Sequence, residues 1–94
     1  MSRKVFLRPA AERDLLRLAE FVIEKNPKAA SEIQAELRRA ILSLGEFGER
    51  GRPGPRDDMR ELIVSKGAAR YVIRYQLTSY AVRITRIWHG REDR

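Results

Sequence analysis

The residues best suited to chemistry crowd into the last quarter of the chain. Its single histidine, His89, opens the run His89-Gly90-Arg91-Glu92-Asp93, with Arg83 and Arg86 shortly before it and Arg70 and Arg74 further upstream. An imidazole ionises near neutral pH and can take or give a proton, while guanidinium groups neutralise phosphate oxygens. The set could therefore serve acid–base or phosphate chemistry on a charged polymer; His89 could equally hydrogen-bond the end of a strand. With no cysteine and no second histidine, the chain has no thiolate nucleophile, no disulfide framework and no zinc-ligand set. A phosphate-cradling glycine loop, a nucleophile elbow and a metal-ligand box are all missing, so no cofactor or metal is expected.

These residues fall in a region whose apolar pattern has a period of two. From Met59 onward, Leu62 and Val64 share one face of a first strand, Tyr71, Ile73, Tyr75 and Leu77 one face of a second, and Val82 and Ile84 mark a third. Short turns at Lys66-Gly67 and Thr78-Ser79 predict an antiparallel meander. Arg70, Arg74, Gln76, Arg83 and Thr85 then alternate onto the other face, as a basic binding stripe or as an ordinary solvated surface. Arg86 is out of place, because simple alternation puts it beside Val82 and Ile84. A guanidinium there must reach the core margin or hold a carboxylate such as Glu12, Asp14 or Glu61. Trp88 and Leu62 are expected to close that edge of the core, Trp88 by packing rather than by stacking on a base.

Upstream, Lys4 to Arg8 reads as a short strand, and Pro9 suits the first turn of a helix. Between Pro9 and Asn26 the apolar Ala11, Leu15, Leu18, Ala19, Val22 and Ile23 recur at helical spacing. Asn26-Pro27 is a boundary at which asparagine can cap a second helix, whose stripe is Ala30, Ile33, Leu37, Ile41 and Leu44. The short link makes the two helices an antiparallel hairpin. Gly45 to Arg56, with four glycines, two prolines and three arginines, predicts an irregular loop. The expected fold is α+β, β-α-α-β-β-β, a helical hairpin packed on an antiparallel sheet, with all 94 residues in a single domain.

The formal net charge is +7, and it is unevenly placed: residues 1–49 hold nine Lys/Arg against eight Asp/Glu, residues 50–94 eleven against five. Such a field attracts acidic protein segments or nucleic-acid phosphates, so a macromolecular partner is expected rather than a small-molecule substrate. Neither a signal peptide nor a membrane span fits the apolar pattern, and the expected location is cytoplasmic.

Four stretches together resemble the ParE branch of the RelE/ParE superfamily of bacterial toxin–antitoxin toxins: Pro9-Ala10-Ala11-Glu12-Arg13-Asp14-Leu15, Asn26-Pro27-Lys28-Ala29-Ala30, Gly51-Arg52-Pro53-Gly54, and Tyr71-Val72-Ile73-Arg74-Tyr75 with Ile84-Thr85-Arg86-Ile87-Trp88-His89-Gly90-Arg91-Glu92-Asp93. The resemblance spans nearly the whole chain. It implies a toxin that inhibits DNA gyrase by stabilising the gyrase–DNA cleavage complex, with Arg74, Arg83, Arg86, His89 and Arg91 as target contacts. It also implies neutralisation by a cognate ParD-like antitoxin in a heterotetramer or larger assembly, which binds operator DNA only through the antitoxin. Leu18, Phe21, Val22, Ile33, Leu37, Arg60 and Arg70 are the implied antitoxin contacts. The superfamily's other branch cuts messenger RNA in the ribosome, and for that chemistry Arg74, Arg83 and His89 would be the catalytic candidates. RelE-like nucleases generally carry an arginine three residues before the tyrosine matching Tyr75 and an aromatic near the C-terminus; here Val72 stands at the first position and no aromatic follows Trp88. A member that has lost its poison and merely pairs with an antitoxin is the third alternative.

Overall fold

The computed structural model describes residues 2–23 and 26–92, the side chains of Phe21, Val22 and Ile23 excepted. The chain begins with strand β1 (Lys4–Leu7), followed by helices α1 (Pro9–Ile23) and α2 (Pro27–Ser43). A single 3-10 turn (Gly48–Arg50) leads to the two-residue strand β2 (Arg52–Pro53), and β3 (Met59–Lys66), β4 (Ala69–Leu77) and β5 (Ala81–His89) complete the sheet. Its spatial order is β1-β5-β4-β3-β2. The β3-β4-β5 meander is antiparallel, as its periodicity predicts, whereas β1 joins the far edge parallel to β5 across the helical hairpin.

Local chemistry sets the boundaries. Asn26 caps α2 by accepting the Ala29 amide at 3.1 Å, with Pro27 in the first turn where no N–H is needed. The amide of Gln34 on α2 donates to the Leu15 carbonyl of α1 at 2.6 Å and ties the hairpin together. Gly67 takes the positive φ of +60° that the two-residue β3–β4 turn requires at its first central position.

The hairpin lies on one face of the sheet. Ala11, Leu15 and Leu18 of α1 and Ile33, Leu37 and Ile41 of α2 meet Leu62, Val64, Tyr71, Ile73, Tyr75, Val82, Ile84 and Ile87, with Val5 and Leu7 at the margin. Burying a side chain of this size stabilises the fold by about 1.5–3 kcal/mol, so this layer is the main source of stability. Ala19 is partly buried, and the expected stripe residues Val22 and Ile23 lie outside the described side chains.

The loop from Gly45 to Arg56 is more ordered than its composition predicts. The hydroxyl of Tyr75, a fully buried residue, donates to the Gly48 carbonyl at 2.6 Å and accepts the Gly51 amide at 2.9 Å, pinning the 3-10 turn from inside the core. Gly51 sits so close that a Cβ there would lie 2.3 Å from that hydroxyl. Arg52 and Pro53 then pair with Glu61 and Arg60 as β2, at the sheet edge where a proline costs no ladder hydrogen bond.

Candidate functional site

The register of β5 decides what the open face of the sheet displays. Val82 opposes Leu77 and Ile84 opposes Tyr75, but Arg74 opposes Arg86, so Thr85 is an extra residue on β5, a β-bulge. The bulge reverses the phase of all that follows. Ile87 enters the core beside Ile73, and Arg86 and Trp88 pass to the open face opposite Arg74 and Val72. The expectation that Arg86 shares a face with Val82 and Ile84 is therefore corrected, since it assumed unbroken alternation. Thr85 is likewise no ordinary member of the open face: its hydroxyl donates to the Arg74 carbonyl at 3.1 Å, against the partner strand.

Across the open face runs one row of directly opposed residues, Arg52, Glu61, Arg74 and Arg86. Glu61 is nearly buried; its Oε2 accepts both Nε (2.9 Å) and Nη2 (2.7 Å) of Arg74, and its Oε1 accepts Arg52 at 3.4 Å. The guanidinium carbons of Arg74 and Arg86 lie 4.7 and 5.2 Å from the centre of the Trp88 ring. Trp88 is only 7% exposed, and both guanidiniums make cation–π contacts with its ring. It does pack, as expected, but on the face opposite Leu62.

Beyond Ile84, where β1 ends, side chains from α1 take the place of a strand along β5. Asp14, nearly buried, accepts the Ile87 amide at 2.8 Å and Nε of Arg86 at 2.8 Å, while Nη2 of Arg17 donates to both Asp14 and the Ile87 carbonyl at 3.2 Å. Burial alone would raise the Asp14 pKa; hydrogen bonds from Arg86, the Ile87 amide and Arg17 together outweigh it and hold the carboxyl below its ordinary 3.8. The same bond to Asp14 raises Arg86. Of the three carboxylates named as partners for Arg86, Asp14 is the one it holds. Glu92 reaches back to this edge: one oxygen pairs with Arg17, the other accepts the His89 amide at 2.8 Å.

The residues expected to touch a target thus divide. Arg74 and Arg86 are ion-paired to Glu61 and Asp14. Among the described residues, the Arg83 and Arg91 side chains have no carboxylate partner. Arg83 opposes Gln76 and, on β1, the half-exposed Phe6. His89 opposes Tyr71 on the hairpin side, its ring edge-on to the tyrosine at 5.3 Å, and its Nδ1 accepts the Arg91 amide at 3.1 Å. His89 and Arg83 are therefore on opposite faces and six strand residues apart, roughly 20 Å at about 3.3 Å per residue. Arg74, Arg83 and His89 are not brought together.

The residues implied as antitoxin contacts also scatter. Leu18, Ile33 and Leu37 are buried in the core. Arg60 bonds the Glu49 and Gly51 carbonyls on the hairpin side of the sheet, and Arg70 opposes Ser65 on the open face. The side chains of Phe21 and Val22 lie outside the described residues. Exposed apolar surface on the hairpin instead comes from Leu16 and Leu42, at 63% and 70% exposure. Sequence reasoning did not single out Arg17 or Glu92, and weighed Glu61 only as a partner for Arg86; strand-by-strand alternation carries no signal for contacts of this kind.

Among the described residues, no cluster of three or more His, Asp or Glu could hold a metal ion, and no helix is long and apolar enough to cross a membrane. Residues 5–94 match the family described as the ParE toxin of the type II toxin–antitoxin system parDE. Toxin RelE1 of Caulobacter vibrioides is 41% identical over 95 residues, the full length of both chains, and Toxin RelE3 of the same bacterium is 40% identical over 98% of this chain and 99% of its own. A solved chain from the chromosomal ParDE toxin–antitoxin system of P. aeruginosa superposes with a TM-score of 0.79 over 92% of this chain and 94% of its own; at 16% identity it attests the fold. With the family matched along nearly its whole length and the helical hairpin on its sheet shared with a ParDE protein, the chain belongs to the ParE toxins of type II toxin–antitoxin systems, within the RelE/ParE superfamily.

Proposed function

We propose that this toxin acts by binding, not by cutting: it stabilises the covalent gyrase–DNA cleavage complex and is neutralised by a cognate ParD-like antitoxin. The observation that carries the reading is the separation of the three nuclease candidates. Acid–base catalysis needs its groups within hydrogen-bond reach of one reacting centre. Arg74 is paired to Glu61, and Arg83 and His89 stand on opposite faces near the two ends of β5. Arg83 and Arg91, which have no acidic partner among the described residues and lie near and just past the two ends of β5, suit an extended macromolecular surface. Arg83 and Arg91 are the main target contacts in this reading, with His89 beside them, while Arg74 and Arg86 shape the face through Trp88.

For the antitoxin, the net charge of +7 favours an acidic segment that folds on binding. Exposed Leu16 and Leu42 offer it apolar anchors on the hairpin, and Arg70 a charge on the sheet. Operator DNA is bound through the antitoxin, and the toxin works in the cytoplasm, where gyrase is.

The second reading, a ribosome-dependent mRNA endonuclease, draws on the RelE names of the Caulobacter relatives. Against it stand Val72 at the position where such nucleases resemble one another in an arginine, and the dispersed candidates. Inducing the toxin in cells and mapping both chromosomal breaks and mRNA 5′ ends separates the two. Breaks that depend on gyrase and disappear with the antitoxin support the binding reading; codon-phased mRNA cuts without breaks support the nuclease.

A further inference from the structure

We propose that Arg17 and Glu92 form a clasp that holds the C-terminal turn against α1 and so presents Arg91 to the toxin's target; this rests on the poison reading above. At the end of β5 the chain leaves regular structure, yet each amide from His89 to Glu92 is engaged. The His89 amide donates to Glu92, that of Gly90 to the Arg70 carbonyl at 2.6 Å, that of Arg91 to Nδ1 of His89, and that of Glu92 to the His89 carbonyl at 3.0 Å. Arg17 fastens this turn to the body of the protein. Its guanidinium touches Asp14 on its own helix, the Ile87 carbonyl on β5 and the Glu92 carboxylate on the turn.

Stability alone does not account for the clasp. The side chains of Arg17 and Glu92 are 43% and 31% exposed, and ion pairs so open to water contribute little to folding. What the clasp does is order a surface turn at whose centre an exposed arginine has no acidic partner among the described residues. Order present before binding need not be created during it, which tightens association through that arginine. Glu92 and Arg17 are in this account positioning residues that act through Arg91.

Glu92→Ala, Arg91→Gln and their double variant test the dependence through the inducer dose needed for growth arrest. Glu92→Ala should raise that dose about 10-fold, by loss of preorganisation, and add almost nothing in the Arg91→Gln background. Antitoxin affinity should stay within about twofold and the thermal midpoint within a few degrees, since the pair is exposed. A Glu92→Ala toxin as potent as the wild type overturns the clasp, and so does a variant whose loss is equally large without the Arg91 guanidinium. A wild-type chain that fails to arrest growth overturns the poison reading itself, a result distinct from either.

Discussion

Replacing Asp14 by alanine removes the acceptor that stands in for a neighbouring strand at Ile87. The loss can be sized from its parts. The Ile87 amide would be left buried and unpaired, which costs about 1–3 kcal/mol. Arg86 and Arg17 lose a partner too, but their side chains are 46% and 43% exposed and can rehydrate, so each adds well under about 1 kcal/mol. Asp14→Ala should therefore destabilise the fold by about 2–4 kcal/mol. Asp14→Asn keeps an oxygen for the Ile87 amide but gives up the charge and the second acceptor that Arg17 and Arg86 share; both guanidiniums are open enough to rehydrate, so the cost should be about 1 kcal/mol. Urea unfolding followed by the fluorescence of Trp88, which lies against Arg86, measures both, with an unchanged denaturant slope expected. Equal costs for the two variants would refute the edge-capping role. An alanine variant within about 0.5 kcal/mol of wild type, the usual range for a surface change, would show that this edge of β5 needs no cap.

Other outcomes follow from the same contacts. Because Asp14 has a lowered pKa in the folded chain, it favours the native state above its ordinary value of 3.8, and that contribution is lost as pH falls through the lower folded value; acid titration of stability should show the loss in wild type and not in Asp14→Asn. Tyr75→Phe orphans the Gly48 carbonyl and Gly51 amide and should cost about 2 kcal/mol, with faster hydrogen exchange at Gly51 as the local sign. Arg83→Glu and Arg91→Glu should each weaken growth arrest while changing the unfolding free energy by less than about 0.5 kcal/mol, because neither side chain has an ion-pair partner to lose among the described residues.

Much of the fold can be read along the chain because its signals are local. The helical stripes, the Asn26-Pro27 cap and the alternation of β3 and β4 each depend on residues a few positions apart, and all reappear in the structure as far as their side chains are described. The bulge at Thr85 was present in the sequence only as a contradiction: alternation puts Arg86 inside, while Ile87 and Trp88 are adjacent apolar residues that cannot share a face. One inserted residue takes Arg86 out of the core and puts Ile87 into it, leaving Trp88 on the open face, but its position is set by pairing with β4. Short β2 and the parallel docking of β1 are likewise products of tertiary contact, the first anchored by Tyr75, the second made across the whole hairpin.

The candidate site was legible as a list and not as a geometry. Residue types alone marked Arg74, Arg83, Arg86, His89 and Arg91 as the cationic end of the chain. They carried no information on which charges are neutralised. Asp14 and Arg86 are 72 residues apart in the chain and 2.8 Å apart in space, and Arg17 and Glu92 are separated by 75 residues. Such pairings follow from the packing of α1 along the edge of β5, which periodicity does not specify. The result is to move the expected target contacts away from the centre of the sheet, toward the two ends of β5.

The most direct test of the binding reading is to add purified toxin to gyrase, relaxed plasmid and ATP, and to follow supercoiling together with linear DNA that carries covalently bound protein. The account predicts lost supercoiling and accumulated cleavage complex, abolished when the antitoxin is added first and weakened by Arg83→Glu and Arg91→Glu. Undisturbed supercoiling with a folded preparation that still arrests growth would contradict it.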